Sequence, residues 1–377
     1  MFNKCEKVIT IPQFTGTCWF NSILMVTLYS HRMRQLLLNK IKSMDESKKL
    51  DKLMKIFIDV IESKYFEQEN IQPSELVSKL QLTPEEIILY LNKLNPYDFY
   101  YNHEYTEEGF MSQFYITRFL NFFELTYKNV LVIDYITDTK KFYISQVYAQ
   151  ETITPEYRSI SGYPILKSRD QFKSDAEYYK HVEKIKLKKD KYNEQITNFL
   201  ITIYKKLYEN YKNNNLDILI INYPKTHVLE DVRVLYEIDY FKIKDQIQIN
   251  NNTFILDSMI FNNYNIKECK AGHSIAGITC NNKRYIYNGW TSQTTDPSML
   301  TKNNSLFSNI PCALIPYDWF NPEEDLSFCL NSTECKLDFI DLYDIIENKL
   351  NLCFNFKKGE NMHIFINKNS LNPTFIS

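Results

Sequence analysis

The sequence predicts an α+β fold in which a helical N-terminal lobe packs on a mostly antiparallel β lobe. Apolar residues recur at helical spacing through most of the first 128 residues, whereas runs of β-forming residues dominate from 129 to 320. A charged segment with helical spacing, 168–212, interrupts the β-rich part. We therefore expect a helical lobe over 1–128, a β lobe over 129–320 with a helical insertion, and an accessory extension over 321–377.

The N-terminal lobe contains several predicted helices, each with apolar residues on one face. Thr83 and Pro84 supply an N-cap and a first-turn proline for one of them. The last is strongly aromatic, so it is expected in the core. The predicted helices cover 18–39, 47–65, 74–80, 84–94 and 110–127.

The β lobe is predicted from short runs of β-branched and aromatic residues separated by turn residues. Asn281 and Asn282 form the shortest of these turns and predict a hairpin between 273–279 and 283–287. The C-terminal extension is expected to contain a helix over 337–350 followed by two strands. The remaining predicted strands cover 129–136, 141–148, 253–261, 352–356 and 363–367.

Three widely separated residues have the types required of a cysteine protease: a thiol, an imidazole and an amide. Cys18 begins the first predicted helix, where unpaired backbone amides and the helix dipole favour a thiolate. A free thiol, with a pKa of about 8.5, is mostly protonated at neutral pH, and only the thiolate attacks a carbonyl. A histidine such as His273 would complete the activation of the sulfur.

The predicted hairpin brings the two downstream residues together. His273 starts one strand and Asn288 ends the strand paired with it, so the Asn288 carboxamide is expected to hold the imidazole ring. Gln13 lies on a predicted loop shortly before Cys18. Its side-chain amide, together with the Cys18 backbone amide, is the expected donor pair for the oxyanion that forms during attack.

The segments around these residues resemble the two signature boxes of ubiquitin-specific proteases. Residues 17–24, Thr-Cys-Trp-Phe-Asn-Ser-Ile-Leu, resemble the family's Cys box, and Gln13 stands where the family places its oxyanion asparagine. The elements of the family's His box follow in order, after a segment similar to its preceding strand. These matching segments are 216–224, 254–260, Gly272-His273 with Ala276, and 285–288. Cys18-Trp19 and Asn288-Gly289-Trp290 are closer to papain, the wider superfamily.

The resemblance implies a papain-like fold and a thiol protease similar to deubiquitinases, which uses these three residues as a triad and needs no metal or cofactor. It also implies a protein substrate, ubiquitin or a ubiquitin-like conjugate. Trp19, Gly272 and Trp290 flank the catalytic residues and are the candidate substrate-binding positions. An alternative role for Trp290 is to shield the hydrogen bond between Asn288 and His273 from water.

The sequence departs from the family pattern at several points. Ser274 replaces the usual aromatic residue after the histidine, Gln13 replaces asparagine, and Met25 stands where glutamine is usual. The paired C-x-x-C motifs of the family's zinc-bearing fingers are missing, and the basic segment 168–212 takes their place in the chain.

Each candidate residue also has a structural interpretation. Cys18 alone resembles the small buried cysteines of many helices. His273 alone resembles a structural strand histidine whose hydrogen bonds are made within the fold, and Asn288 resembles a turn residue before a glycine. A zinc site built from Cys269, His273 and Cys280 lacks a fourth ligand nearby. Two other functions stay open: a viral protease that processes precursor proteins, and a catalytically silent virion or binding protein on the same fold.

Composition argues against several classes of partner. Basic and acidic side chains nearly balance, 44 against 46, so no overall field favours nucleic acid or an anionic membrane. No run of about eighteen apolar residues occurs, so no membrane span is expected.

Cysteine usage and amino-acid composition indicate the cellular compartment and the kind of genome that encodes the protein. The eight cysteines include no C-x-x-C, and the N-terminus lacks the apolar core of a signal peptide, which predicts a reducing, cytoplasmic compartment. Seven glycines beside abundant asparagine, lysine, isoleucine and tyrosine indicate an AT-rich genome. Among such sources we expect a large DNA virus, whose protein acts in the host cytoplasm and is a candidate virion component.

Overall fold

The computed structural model has an α+β architecture, with a helical N-terminal region packed on a mostly antiparallel sheet. The residues that it describes are 11, 13, 15–62, 82–96, 99, 101, 109–145, 171–212, 216–224, 236–266, 272–289, 291–293, 309–311, 314–320, 327–330, 337–338 and 352–371. None of the helices among them carries a stretch that is long and apolar enough to cross a membrane.

Most of the described strands belong to one large sheet. The strands are β1 (Val130–Ile136), β2 (Lys141–Ile144), β3 (Ile218–Asn222), β4 (Glu237–Ile238), β5 (Gln246–Ile249), β6 (Asn252–Asn262), β7 (Ser274–Cys280), β8 (Lys283–Tyr287), β9 (Thr291–Gln293), β10 (Asn309–Pro311), β11 (Ile315–Pro316), β12 (Ser327–Leu330), β13 (Leu337–Asp338), β14 (Leu352–Asn355) and β15 (Met362–Asn367). The large sheet has the order β11-β8-β7-β6-β15-β3-β1-β2-β4, and β5 pairs with β6 beside it. Its described pairs are antiparallel except β1 with β3.

The C-terminal strand β15 lies in the middle of this sheet, between β6 and β3, and all of its residues are buried. The prediction that 321–377 form an accessory extension is therefore wrong for this strand, which completes the central sheet. Leu337 and Asp338 form a short strand that pairs with β12, where a helix was predicted to begin. The rest of that predicted helix, 339–350, lies outside the described residues.

The first described helix begins at Cys18. The described helices are α1 (Cys18–Leu24), α2 (His31–Ser43), α3 (Glu46–Lys49), α4 (Lys52–Ile61), α5 (Pro84–Leu94), α6 (Ile116–Phe122) and α7 (Asp175–Lys212). The start of α5 is as predicted, with Thr83 and Glu86 forming a reciprocal capping box. The predicted helix over 110–127 is shorter, since only a 3₁₀ turn and α6 form there. The predicted helix over 74–80 lies outside the described residues.

The first predicted helix is in fact two helices joined by a π-helical turn, because the sheet binds the backbone at the break. Ser30 is extended there, and its hydroxyl donates to the Asp257 carbonyl (3.0 Å) and accepts from the Thr279 amide (3.1 Å). The Asp257 carboxylate accepts from the backbone amides of Arg32 and Met33 at the start of α2. These bonds attach the cysteine-bearing segment to β6 and β7.

The predicted hairpin is confirmed. β7 and β8 pair across Asn281 and Asn282, whose φ values of 48° and 62° are those that asparagine tolerates in a tight hairpin turn. The register places Ala276 opposite Tyr287. The residues that precede β7 and follow β8 therefore meet at the open end of the hairpin.

The predicted helical insertion forms the long helix α7. Tyr204, Leu207 and Tyr211 in its C-terminal half are buried in the core, whereas Tyr179 and Leu187 in its N-terminal half are exposed. The C-terminal half of the helix therefore packs on the core, whereas the N-terminal half exposes large apolar side chains.

Cys329 and Cys353 form a disulfide, in contrast to the reduced state expected from the sequence. Cys329 on β12 lies directly opposite Cys353 on β14, and both are fully buried. Facing residues on neighbouring antiparallel strands are close enough for such a bond.

Candidate active site

The open end of the β7–β8 hairpin holds the predicted histidine and asparagine together. His273 Nε2 lies 2.9 Å from Asn288 Oδ1, and both side chains are buried. A carboxamide oxygen can only accept a hydrogen bond, so the imidazole carries its proton on Nε2. The second ring nitrogen, Nδ1, is then the basic one.

Cys18 lies at the first residue of α1, which packs against β7. Its side chain and that of His273 line one cleft with a volume of about 340 Å³. The residue Cys18 is largely buried, 9% exposed, and borders this cleft. The structure therefore brings the predicted nucleophile and base to the same place.

Burial sets the protonation states of both groups. Burial raises the pKa of the Cys18 thiol, although the backbone amide and hydroxyl of Ser274 act in the opposite direction. Burial lowers the pKa of His273 to about 4, and the bond to Asn288 offsets part of this. At neutral pH the pair consists of a thiol and a neutral imidazole. The helix terminus alone does not produce the thiolate that the sequence led us to expect.

Gln13 reaches the cleft, but its amide points elsewhere in this state. Its backbone amide donates to the Gly289 carbonyl (2.7 Å), and its Nε2 donates to the Thr15 carbonyl (2.8 Å). To donate to an oxyanion, the Gln13 side chain must exchange its bond to Thr15 for one to the substrate. A loop carbonyl two residues away is an easily replaced partner.

Two consecutive asparagines support His273, and sequence reasoning missed them. Asn263 Oδ1 accepts from the His273 amide (2.7 Å), and the Asn263 amide donates to the His273 carbonyl (3.1 Å). The hydroxyl of Ser274 donates to Asn262 Oδ1 (2.5 Å). The consecutive asparagines at the end of a long apolar strand were the signal, since asparagine there tends to bond backbone outside the ladder.

The three predicted substrate-binding positions have different environments. Gly272 is exposed and lines the cleft. Trp19 is fully buried, with its ring against those of Phe110 and Tyr115. This burial corrects its prediction as a substrate contact, because the indole packs inside the helical lobe. Trp290 lies outside the described residues.

A larger cleft of about 700 Å³ opens at the other end of the hairpin, between Arg32, Asp245 and Lys283. The described residues around it include no thiol and no imidazole. The larger cleft therefore lacks the groups needed for attack by sulfur, and the smaller cleft at Cys18 is the candidate active site.

Two buried histidines are expected to make the fold sensitive to acid. Burial lowers the pKa of His273 to about 4 and that of His363 to about 3. The unfolded chain binds these protons below about pH 6.5, whereas the folded protein does not, so the free energy of unfolding falls as pH decreases through this window. At pH 5 the loss is about 2 kcal/mol for each histidine.

Urea unfolding at pH 7 and at pH 5 measures this loss. The variant His363→Phe keeps an aromatic ring between Tyr223 and Phe356, and it should remove about half of the loss due to the two histidines. An identical decrease in the variant and the wild type would contradict the assignment.

Comparisons of the chain with models of known protein families and with curated proteins give no match, so the assignment of a function depends on the geometry of this cleft.

Proposed function

We propose that the protein is a cysteine-type peptidase that cleaves peptide or isopeptide bonds. Cys18 is its nucleophile, His273 its general base and acid, and Asn288 the residue that orients the imidazole. The observation that carries this proposal is that Cys18 and His273 line one cleft, with His273 Nε2 2.9 Å from Asn288 Oδ1. A thiol, a base and an orienting amide are the parts that acyl transfer to sulfur requires.

The reaction begins from the neutral pair. As the sulfur of Cys18 attacks the substrate carbonyl, its proton passes to Nδ1 of His273, and the carbonyl oxygen becomes negative. The imidazolium then donates this proton to the leaving amine, which departs as the thioester forms. Water next attacks the thioester, gives a proton to His273, and releases the acid and the Cys18 thiol. Asn288 keeps the ring in the required tautomer throughout.

The backbone around the cleft supports a slender substrate. Gly16, Gly109 and Gly272 line it, and Gly109 has a φ of +94°, where a side chain would be strained. Without side chains at these points, an extended glycine-rich tail can approach the sulfur closely. Together with the resemblance of residues 17–24 and 285–288 to motifs of ubiquitin-specific proteases, this favours a ubiquitin-like C-terminus as the substrate. A viral precursor protein with a small residue at the cleavage point has the same chemistry.

A catalytically silent binding protein is the second candidate function. Two observations favour it: burial raises the pKa of the Cys18 thiol, and the Gln13 amide is bonded to Thr15. In a peptidase, His273 must take the thiol proton during attack, and the substrate must replace Thr15 as the partner of the Gln13 side-chain amide. In a binding protein they are permanent.

An electrophilic ubiquitin C-terminal probe tests the proposal. A covalent adduct is expected with the wild-type protein and none with Cys18→Ala, which is otherwise expected to be folded. Cys18 that is alkylated by small haloacetamides but not by the probe would point to another peptide substrate. Protein inert to both at neutral pH, with intact circular dichroism, would favour the binding protein.

A further inference from the structure

The hydroxyl of Tyr287 connects three parts of the candidate active site. Tyr287 ends β8 and is 1% exposed. Its hydroxyl donates to the backbone carbonyl of Ile11 and accepts a hydrogen bond from Asn21 Nδ2 at 3.3 Å. Ile11 precedes Gln13, and Asn21 lies on the cysteine helix α1. The next residue after Tyr287 is Asn288, which holds the histidine.

A second tie lies beside the first. The backbone amide of Gln13 donates a hydrogen bond to the Gly289 carbonyl at 2.7 Å. A Cβ atom at Gly289 would come within 2.8 Å of the Tyr287 hydroxyl and 3.1 Å of the Gln13 Cβ, so only glycine leaves room for this junction. Ile11 and Gln13 are thus both attached to the end of β8.

The Tyr287 hydroxyl keeps its proton over the whole working range. Burial raises the pKa of Tyr287 far above its ordinary value. The group is therefore a permanent donor to Ile11, and removing it would leave a buried carbonyl and a buried amide without this partner.

We propose that Tyr287 is a positioning residue that fixes the backbone of Gln13 relative to Cys18, so that the side-chain amide of Gln13 can reach the oxyanion. The inference rests on the proposed peptidase function. It also says that the hydroxyl, not the ring, carries the effect, because the ring alone can fill the same space. Gln13 would be poorly placed without this anchor, and small displacements of a transition-state donor slow the chemical step.

The variant Tyr287→Phe tests the proposal in two measurements. With a fluorogenic ubiquitin C-terminal conjugate, kcat is expected to fall about tenfold or more while KM changes by less than about twofold, because the lost contact acts in the transition state. Exchange of the Gln13 amide hydrogen, followed by NMR on protein labelled with ¹⁵N-glutamine, is expected to become faster. The Gln13→Glu variant assigns the signal.

Tyr115→Phe is the matched control. Tyr115 is also 1% exposed and packs on Trp19 and Phe20 of the cysteine helix, but its hydroxyl has no hydrogen-bond partner among the described residues. It should leave kcat, KM and the Gln13 exchange rate unchanged. Gly289→Ala disturbs the Tyr287 junction from the other side and should reproduce the loss of kcat.

The outcomes separate this inference from the function on which it rests. An active wild-type protein whose Tyr287→Phe variant keeps full kcat overturns the positioning role and leaves the peptidase intact. If the wild-type protein cleaves no substrate, the proposed peptidase function is wrong. The exchange rate of the Gln13 amide hydrogen then still decides whether Tyr287 anchors Gln13. Unchanged exchange in Tyr287→Phe overturns the anchor in either case.

Discussion

Replacing His273 with alanine is expected to lower kcat by about a thousandfold or more, with little change in KM. Burial raises the pKa of the Cys18 thiol, so without a base the sulfur keeps its proton at neutral pH. In the proposed mechanism the same histidine also protonates the leaving amine, and the described residues around the cleft include no other imidazole. Steady-state hydrolysis of a fluorogenic ubiquitin conjugate at pH 7 measures the loss.

Two further variants make this test specific. His363→Phe removes an equally buried histidine from the same sheet and should keep its activity, because its ring packs between Tyr223 and Phe356. The double variant His273→Ala with Asn288→Ala should be no slower than His273→Ala alone, since Asn288 acts through the imidazole. A His273→Ala protein within about tenfold of wild-type kcat would exclude His273 as the base.

The parts of the site that the sequence predicts are those set by local geometry. A turn of two asparagines fixes the register of the β7–β8 hairpin, and the register fixes which residues meet at its open end. The contact between His273 and Asn288 could therefore be derived from spacing alone. The N-cap at Thr83 could be predicted from the local sequence for the same reason.

The parts that sequence reasoning missed depend on distant segments. Nothing near Ser30 predicts the helix break, because Asp257 and Thr279, far along the chain, supply the bonds that stabilise it. The central position of β15 likewise follows from pairing with β3 and β6, which no local pattern reveals. An apolar strand has the same sequence pattern at the centre of a sheet as in an accessory domain.

The prediction of a thiolate at Cys18 differs from the structure for another reason, which is the relative size of two free energies. Position at a helix start favours an anion by typically less than about 1 kcal/mol. Removing a thiolate from water costs more than that, and burial outweighs the donors at Ser274. Burial of Cys18 could not be derived from the sequence, because Ser274, which bonds the thiol, lies on β7, far along the chain.

Replacing Gly359 with alanine is expected to destabilise the fold by about 3 kcal/mol. Gly359 has a φ of +93°, which strains any other residue, and an added Cβ would overlap the backbone carbonyl of Asn262. Relief requires moving the turn between β14 and β15, which is fastened by Asn361 to the backbone of Phe356 and Lys358. A lower urea midpoint at an unchanged m-value measures the loss.

Gly272→Ala is the matched control for this substitution. A Cβ at Gly272 would meet nothing within 4 Å, so its stability should stay within about 0.5 kcal/mol of the wild type. Because Asn262 also accepts from the Ser274 hydroxyl beside Cys18, Gly359→Ala should reduce probe labelling as well as stability. Equal urea midpoints for the two glycine variants would mean that the β14–β15 turn yields easily, and that Asn262 is not held against the cleft by it.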